Sequence, residues 1–164
     1  MAQQPAPSES QVEAAFLVNF PKYVDWPATA FAATNSPICV AIFGDDDVAA
    51  EFNKIIQGGK VIGGRPVKFR RVVSADELPG DCQILFLGGS QRQRIPEILA
   101  RLQGASVLTV GESDDFLAQG GIINLAQRNK RIRLDVNLTA ARQAHLSVSS
   151  KLLSVADVVK GKLD

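Results

Sequence analysis

The sequence predicts an α/β fold: a three-layer sandwich whose mainly parallel, Rossmann-like sheet carries an antiparallel hairpin at its C-terminal edge. Two runs, from Ile38 to Gly44 and from Ile84 to Gly89, are almost continuously apolar and end in glycine, the form of parallel strands buried on both faces. Strand-like runs alternate with helical spacings of roughly ten residues, which calls for right-handed crossovers between parallel neighbours. Near the end, Ile122, Asn124 and Ala126 alternate with Ile123 and Leu125, a polar turn follows over 127–130, and Ile132, Leu134 and Val136 alternate with Arg131, Arg133 and Asp135. That period of two marks a half-buried hairpin with one basic, solvated face.

The other elements follow in order. Val12, Ala15, Phe16, Asn19, Phe20, Tyr23 and Val24 have the spacing of a helix with one wide apolar face. Ser8 or Ser10 is placed to cap it, and Pro21 should kink or divide it. After Asp25-Trp26-Pro27 come a strand over 38–43, a helix over 48–56, a glycine-rich turn and loop over 58–66, and a strand over 67–72. A turn over 78–81, a strand over 84–87, a helix over 95–102, a strand over 107–110 and a short helix over 114–118 capped by Ser113 lead into the hairpin. Asn137 can cap a helix containing Leu138, Ala141 and Arg142, and Leu152, Leu153, Ala156 and Val159 form a further helical stripe.

A chain of 164 residues with 46% hydrophobic content suits one domain, expected over residues 11–164 behind a disordered start over residues 1–10. Eighteen basic and seventeen acidic residues leave a net charge of +1, so no global field steers the chain toward nucleic acid or an anionic membrane. No apolar run is long enough to cross a bilayer, and the start lacks the basic and apolar regions of a signal peptide. The small, polar, proline-containing opening fits a mature exported protein whose leader has been replaced by Met, and equally an ordinary frayed terminus. Cys39 and Cys82 are the only cysteines. If their strands are neighbours, both lie at the amino-terminal edge of the sheet, where either a disulfide or two buried free thiols can form.

The carboxyl ends of the strands, at Gly44-Asp45-Asp46-Asp47, Gly88-Gly89-Ser90 and Gly111-Glu112-Ser113, are where ligands of an open parallel sheet usually sit. Asp45 to Asp47 resemble the acidic pair of a phospho-acceptor receiver, but the third strand ends without the acceptor aspartate, leaving an acidic helix start. Gly59 to Arg65 is followed by Pro66 and a strand, unlike a phosphate-binding loop, and no G-x-G-x-x-G follows the first strand. His145 is the only histidine, so a multi-histidine metal site is excluded, and none of its neighbouring serines sits in a nucleophile elbow. Arg131 and Arg133, with Arg128 and Lys130, form a basic patch without interleaved aromatics, a poor nucleic-acid signature. The residues alone therefore name no catalytic residue, no metal site and no cofactor.

Taken together, the segments AAFLVNFPKYVDWP, ICVAIFGDD, GGRPVKFRRV, DCQILFLGGS, SVLTVGESDDF and GGIINLAQRNKRIRLDVNLTAARQAHLSVSSKLL resemble the YfiR-like family of bacterial periplasmic proteins. The resemblance spans roughly residues 12 to 159. Its most specific parts are NF-x-KYVDWP at Asn19 to Pro27 and NL-x-AAR-x-x-x-L-x-x-SSKLL at Asn137 to Leu153. It implies an exported, soluble, non-enzymatic regulator, typically a homodimer, that binds the periplasmic part of an inner-membrane diguanylate cyclase and restrains cyclic-di-GMP synthesis. It implies further that an outer-membrane lipoprotein can sequester such a repressor, and that Cys39 and Cys82 form the family's strand-to-strand bridge. This chain lacks a second cysteine pair near the terminal hairpin, so redox control through that pair does not carry over.

The leading expectation is inhibition by contact, with Phe16, Phe20, Tyr23 and Trp26 as candidate partner anchors, although their helical spacing also suits core packing. A second is a periplasmic small-ligand sensor with a different membrane partner, holding an anionic or aromatic metabolite with Arg131, Arg133 and His145. A third is a hydrolase at the Asp45 to Asp47 edge.

Overall fold

A computed structural model describes residues 6–78 and 81–161. Helix α1 (Glu9–Asn19) opens with a capping box, in which Ser8 Oγ accepts from the Gln11 N–H and the Gln11 side chain accepts from the Ser8 N–H. Ser8 to Ser10 thus belong to the cap and first turn, while residues 1–5 of the stretch expected to be disordered lie outside the described residues. Pro21 ends the α-helix in a single 3-10 turn, Phe20–Lys22. Strand β1 (Val24–Asp25) follows, then β2 (Ile38–Phe43), α2 (Asp46–Ile56), β3 (Val61–Ile62), β4 (Arg65–Val72), β5 (Ile84–Leu87), α3 (Ile95–Arg101) and β6 (Leu108–Gly111). The chain continues through β7 (Ile123–Arg128), β8 (Arg131–Asn137), α4 (Leu138–Gln143), β9 (Ser147–Val148), α5 (Ser150–Ser154) and β10 (Val158–Lys160).

The main sheet has eight strands in the order β10-β8-β7-β6-β5-β2-β4-β3. Its neighbours are parallel except at β7–β8 and β3–β4. A separate antiparallel pair, β1–β9, ties the segment after α1 to the segment after α4. In the central strands the side chains divide by parity. Val40, Ile42, Ile84, Phe86, Leu108 and Val110 join α1 and α2 in one core, and Ala41, Phe43, Leu85 and Leu87 join α3 and Phe116 in the other. Helices on both faces of a mainly parallel sheet are the three-layer α/β sandwich that the apolar runs predict.

Several elements differ from the sequence reading. The buried residues of α1 are Glu13, Ala14, Leu17 and Val18, one step around the helix from the expected stripe, because α1 is almost evenly apolar around its circumference. Residues 114–118 form consecutive turns, closed by the Gly121 N–H donating to the Phe116 carbonyl at 3.0 Å. The stretch after α5 is not helical. It forms β10, which pairs with β8 and lies outboard of the hairpin. The glycine-rich loop is a hairpin, with Gly63 at φ 59° and Gly64 at φ 80° joining β3 to β4. Asn129 and Lys130, also at positive φ, make the tight turn of the second hairpin. In the expected turn over 78–81, residues 79 and 80 lie outside the described residues.

Cys39 and Cys82 are joined by a disulfide at the amino-terminal edge, with their Cα atoms 4.9 Å apart. Replacing both by serine releases a constraint over 43 residues and is expected to lower unfolding free energy by about 4 kcal/mol in denaturant titration. Phe116 is fully buried against the bare Cα atoms of Gly111 and Gly121. Gly121→Ala drives a methyl group into that ring, and a loss of about 1–3 kcal/mol is expected in the same measurement.

Candidate functional site

Strands β2, β5 and β6 run side by side and end in step, with Phe43 beside Leu87 and Leu87 beside Gly111. The residues that follow therefore gather at one edge. Gly88 allows this convergence, since a side chain there would collide with the Gly44 carbonyl and with Asp45 Cβ at 2.8 Å. Asp45 caps α2 by accepting the Val48 N–H at 3.0 Å, and Glu112 accepts the Gly89 N–H at 2.7 Å. A third carboxyl group arrives from above. Glu13 of α1, only 2% exposed, brings an oxygen to within 4.8 Å of oxygens of Asp45 and Glu112.

The electrostatics of this trio are unfavourable for three free carboxylates. Burial, followed by the neighbouring Glu112, Glu9 and Asp45, pushes the Glu13 carboxyl from 4.5 up to about 10. Burial also raises Glu112, against the lowering effect of hydrogen bonds from the Glu13 carboxyl and the Gly89 N–H. The Glu13 carboxyl therefore keeps its proton at neutral pH and is hydrogen-bonded to the Glu112 side chain. Glu13 Oε2 is buried without a hydrogen-bond partner.

The sequence reading names Asp45, Asp46 and Asp47 at this edge and does not name Glu13 as a site residue. Only Asp45 joins the cluster; Asp46 pairs with Arg71 at 2.6 Å, and Asp47 is exposed at the start of α2. A carboxylate inside the apolar pattern of α1 is the signal that points to Glu13. The aromatic set lies largely in the core. Phe20 is 1% exposed and has no surface to offer a partner, which corrects its placement among the anchors. Phe16, Tyr23 and Trp26 are half-buried against the same core, with Phe16 stacked on Phe20 at 6.0 Å.

Arg131, Arg133 and His145 do not come together. Arg131 and Arg133 line a cleft of about 520 Å³ with Arg128, Asn129 and Asp157, while exposed His145 follows α4 at φ 61° and is not part of that cleft. Two of the four basic residues of the patch are also paired with acids. Arg128 donates twice to Asp135, at 2.6 and 2.9 Å, and both Arg128 and Arg133 pair with Asp157.

At the opposite edge, Gln83 organises a buried network. Its side chain accepts the Cys39 N–H at 2.6 Å and donates to the Ala30 carbonyl at 2.9 Å, and its own carbonyl accepts the Trp26 indole N–H at 3.0 Å. Trp26 is thereby a structural fastener between the link after α1 and the disulfide.

A sequence profile of the YfiR/HmsC-like family matches residues 10–157, nearly the whole of this architecture. The chain belongs to the YfiR/HmsC-like family. The YfiR/HmsC-like family is a regulatory, periplasmic one, consistent with control of a diguanylate cyclase. Among the described residues, no helix is long and apolar enough to cross a membrane. No curated protein matches the sequence. Solved structures that resemble the fold include the following two. A conserved domain protein from Vibrio cholerae O1 biovar El Tor superposes with a TM-score of 0.65 at 10% identity, over 93% of this chain and 60% of that one. The ABC domain in complex with L-Trp from Streptococcus pneumonia superposes with a TM-score of 0.57 at 10% identity, over 92% of this chain and 60% of that one. The chain thus spans 60% of the length of either structure, and identity this low speaks for the fold alone.

The Glu13 carboxyl supplies a pH dependence whose sign is fixed by its raised value. Its favourable contribution is fully present below about pH 4.5 and is lost as pH rises toward about 10. Glu9, Asp45 and Glu112 are the charged groups that act on it. In buffer free of divalent cations, melting temperature is expected to fall from roughly pH 5 to 9, and the isosteric Glu13→Gln protein is expected to show a flatter profile.

Proposed function

We propose that this chain is a periplasmic regulatory protein that restrains an inner-membrane diguanylate cyclase by binding its periplasmic sensor domain. The observation that carries this reading is the family match over residues 10–157. Inhibition by contact needs an accessible surface, and the terminal segment offers one. Val155, Val158 and Val159 are 59%, 46% and 41% exposed, and β10 is an outer strand of the main sheet, whose outward backbone groups suit strand addition. The half-buried rims of Phe16, Tyr23 and Trp26 are secondary contacts in this reading.

A homodimer is the proposed resting state, and sequestration by an outer-membrane lipoprotein is the proposed means of releasing the cyclase. The alternative, a small-ligand sensor built on Arg131, Arg133 and His145, is less well supported, because Arg133 is engaged by Asp157 and His145 lies outside the cleft. The purified chain is expected to bind the periplasmic domain of a membrane cyclase encoded beside it, as measured by calorimetry and size-exclusion chromatography. The double substitution Val158→Lys and Val159→Lys is expected to weaken that binding by roughly tenfold or more. Absence of binding by the unaltered chain rejects the regulatory reading, and binding unaffected by the double substitution rejects this surface.

A further inference from the structure

We propose that Glu13, Asp45 and Glu112 form a binding site for a hard divalent cation of the calcium class, at the carboxyl edge of the sheet. This site goes beyond the regulatory reading and does not depend on it. The three carboxyl groups come from α1 and from the ends of β2 and β6, with one oxygen of each within 4.8 Å of the others. Separate rigid elements position them, and two are fixed by backbone donors: Val48 N–H for Asp45 and Gly89 N–H for Glu112. Each of those bonds uses one oxygen and leaves a second.

The observation that separates this cluster from an ordinary acidic surface is Glu13. Its side chain lies in the apolar face of α1, 2% exposed, with Oε2 buried and unpartnered. Among the described residues, no Lys, Arg or His forms an ion pair with any of the three. A buried acid beside two others either keeps its proton or is countered by a cation, and no basic side chain supplies that cation here. Asp45 and Glu112 are half-exposed, which leaves a path from solvent and room for water ligands.

The donor set selects the ion. Oxygen donors alone favour calcium, magnesium or manganese over zinc and copper, which take nitrogen and sulfur ligands. Calcium–oxygen distances of about 2.3–2.6 Å put three ligands spread around one ion about 4.0–4.5 Å apart, with an opposed pair reaching about 5 Å, so oxygens gathered within 4.8 Å of one another suit an ion of this size with small adjustments. Magnesium, at about 2.0–2.1 Å and with a strict octahedral geometry, demands a tighter cluster than calcium does. Gly88 completes the argument from the backbone side. Any side chain there would strike Gly44 and Asp45 and force the β2 end away from the cluster.

The test is a calcium titration of the full chain after chelator treatment, read by calorimetry and by melting temperature, with magnesium and manganese in parallel. Saturable binding with a rise of roughly 3–6 °C at ten times the dissociation constant is expected, calcium acting at the lowest concentration. Glu13→Gln and, at the more exposed rim, Glu112→Gln are expected to weaken binding at least about tenfold. Glu13→Lys places an ammonium group among Asp45 and Glu112, and is expected to melt cooperatively with no response to calcium. No saturable binding by the unaltered protein overturns the proposal. So does calcium binding that persists unchanged in Glu112→Gln, which would place the ion elsewhere on the surface.

Discussion

Strands β2 and β5 are apolar on both faces, and the rest of the architecture follows from that constraint. A strand whose odd and even residues are both apolar can be satisfied only between two covering layers, so α1 and α2 occupy one face and α3 the other. Their parallel direction requires a crossover after each strand. Every such crossover leaves the sheet at its carboxyl edge, which brings Gly44-Asp45, Gly88-Gly89 and Gly111-Glu112 into one line. The same burial makes the backbone at that edge close-packed, and glycine is the residue that fits where β5 ends against Gly44.

The two edges of the central strands are held by different physics. At the amino edge, the Cys39–Cys82 disulfide and the Gln83 network join β2, β5 and the segment around Trp26 through a covalent bond and satisfied hydrogen bonds. At the carboxyl edge, three acids meet with only two backbone donors anchoring them, and the buried oxygen of Glu13 has no partner. The first edge is locally complete. The second carries electrostatic conflict that a proton, or a cation, resolves.

The parts of the fold most legible in the sequence are those where one interaction dominates. Strands β2 and β5 have the bounds expected from their apolar runs, and the β7–β8 alternation marks the hairpin, because burial leaves a period-two signature that nothing else overrides. Legibility fails where signals balance. Helix α1 is apolar on nearly all sides, so its buried face cannot be read from spacing, and the expected stripe is displaced from Glu13, Ala14, Leu17 and Val18. Residues 114–118 carry a helix-like start after Ser113, yet five residues beside Gly120 and Gly121 are too few to offset nucleation, and turns result. Val158 to Lys160 continue a helical stripe in sequence but gain more from pairing with Asp135 to Asn137 across the sheet edge. The acid cluster is divided in the same way: the ends of parallel strands place Asp45 and Glu112 at one edge in the sequence, whereas Glu13 joins them only through the packing of α1 across the ends of β2 and β6.

The basic hairpin face shows how charge read along a strand can mislead about function. Arg131 and Arg133 alternate with apolar residues, as a solvated face should, but Asp135 continues that alternation into a buried position and takes a bidentate contact from Arg128. Asp157, brought alongside just before β10, then engages both Arg128 and Arg133. Both arginine shifts are upward and that of Asp157 is downward, the pattern of groups stabilised in their charged forms by one another. Arg128 and Arg133, two of the four cations at this face, therefore hold the segment before β10 against the hairpin. The carboxyl edge of the sheet carries the opposite sign, and there the crowding of Glu13 with Asp45 and Glu112 is relieved by a proton on Glu13 or by a cation.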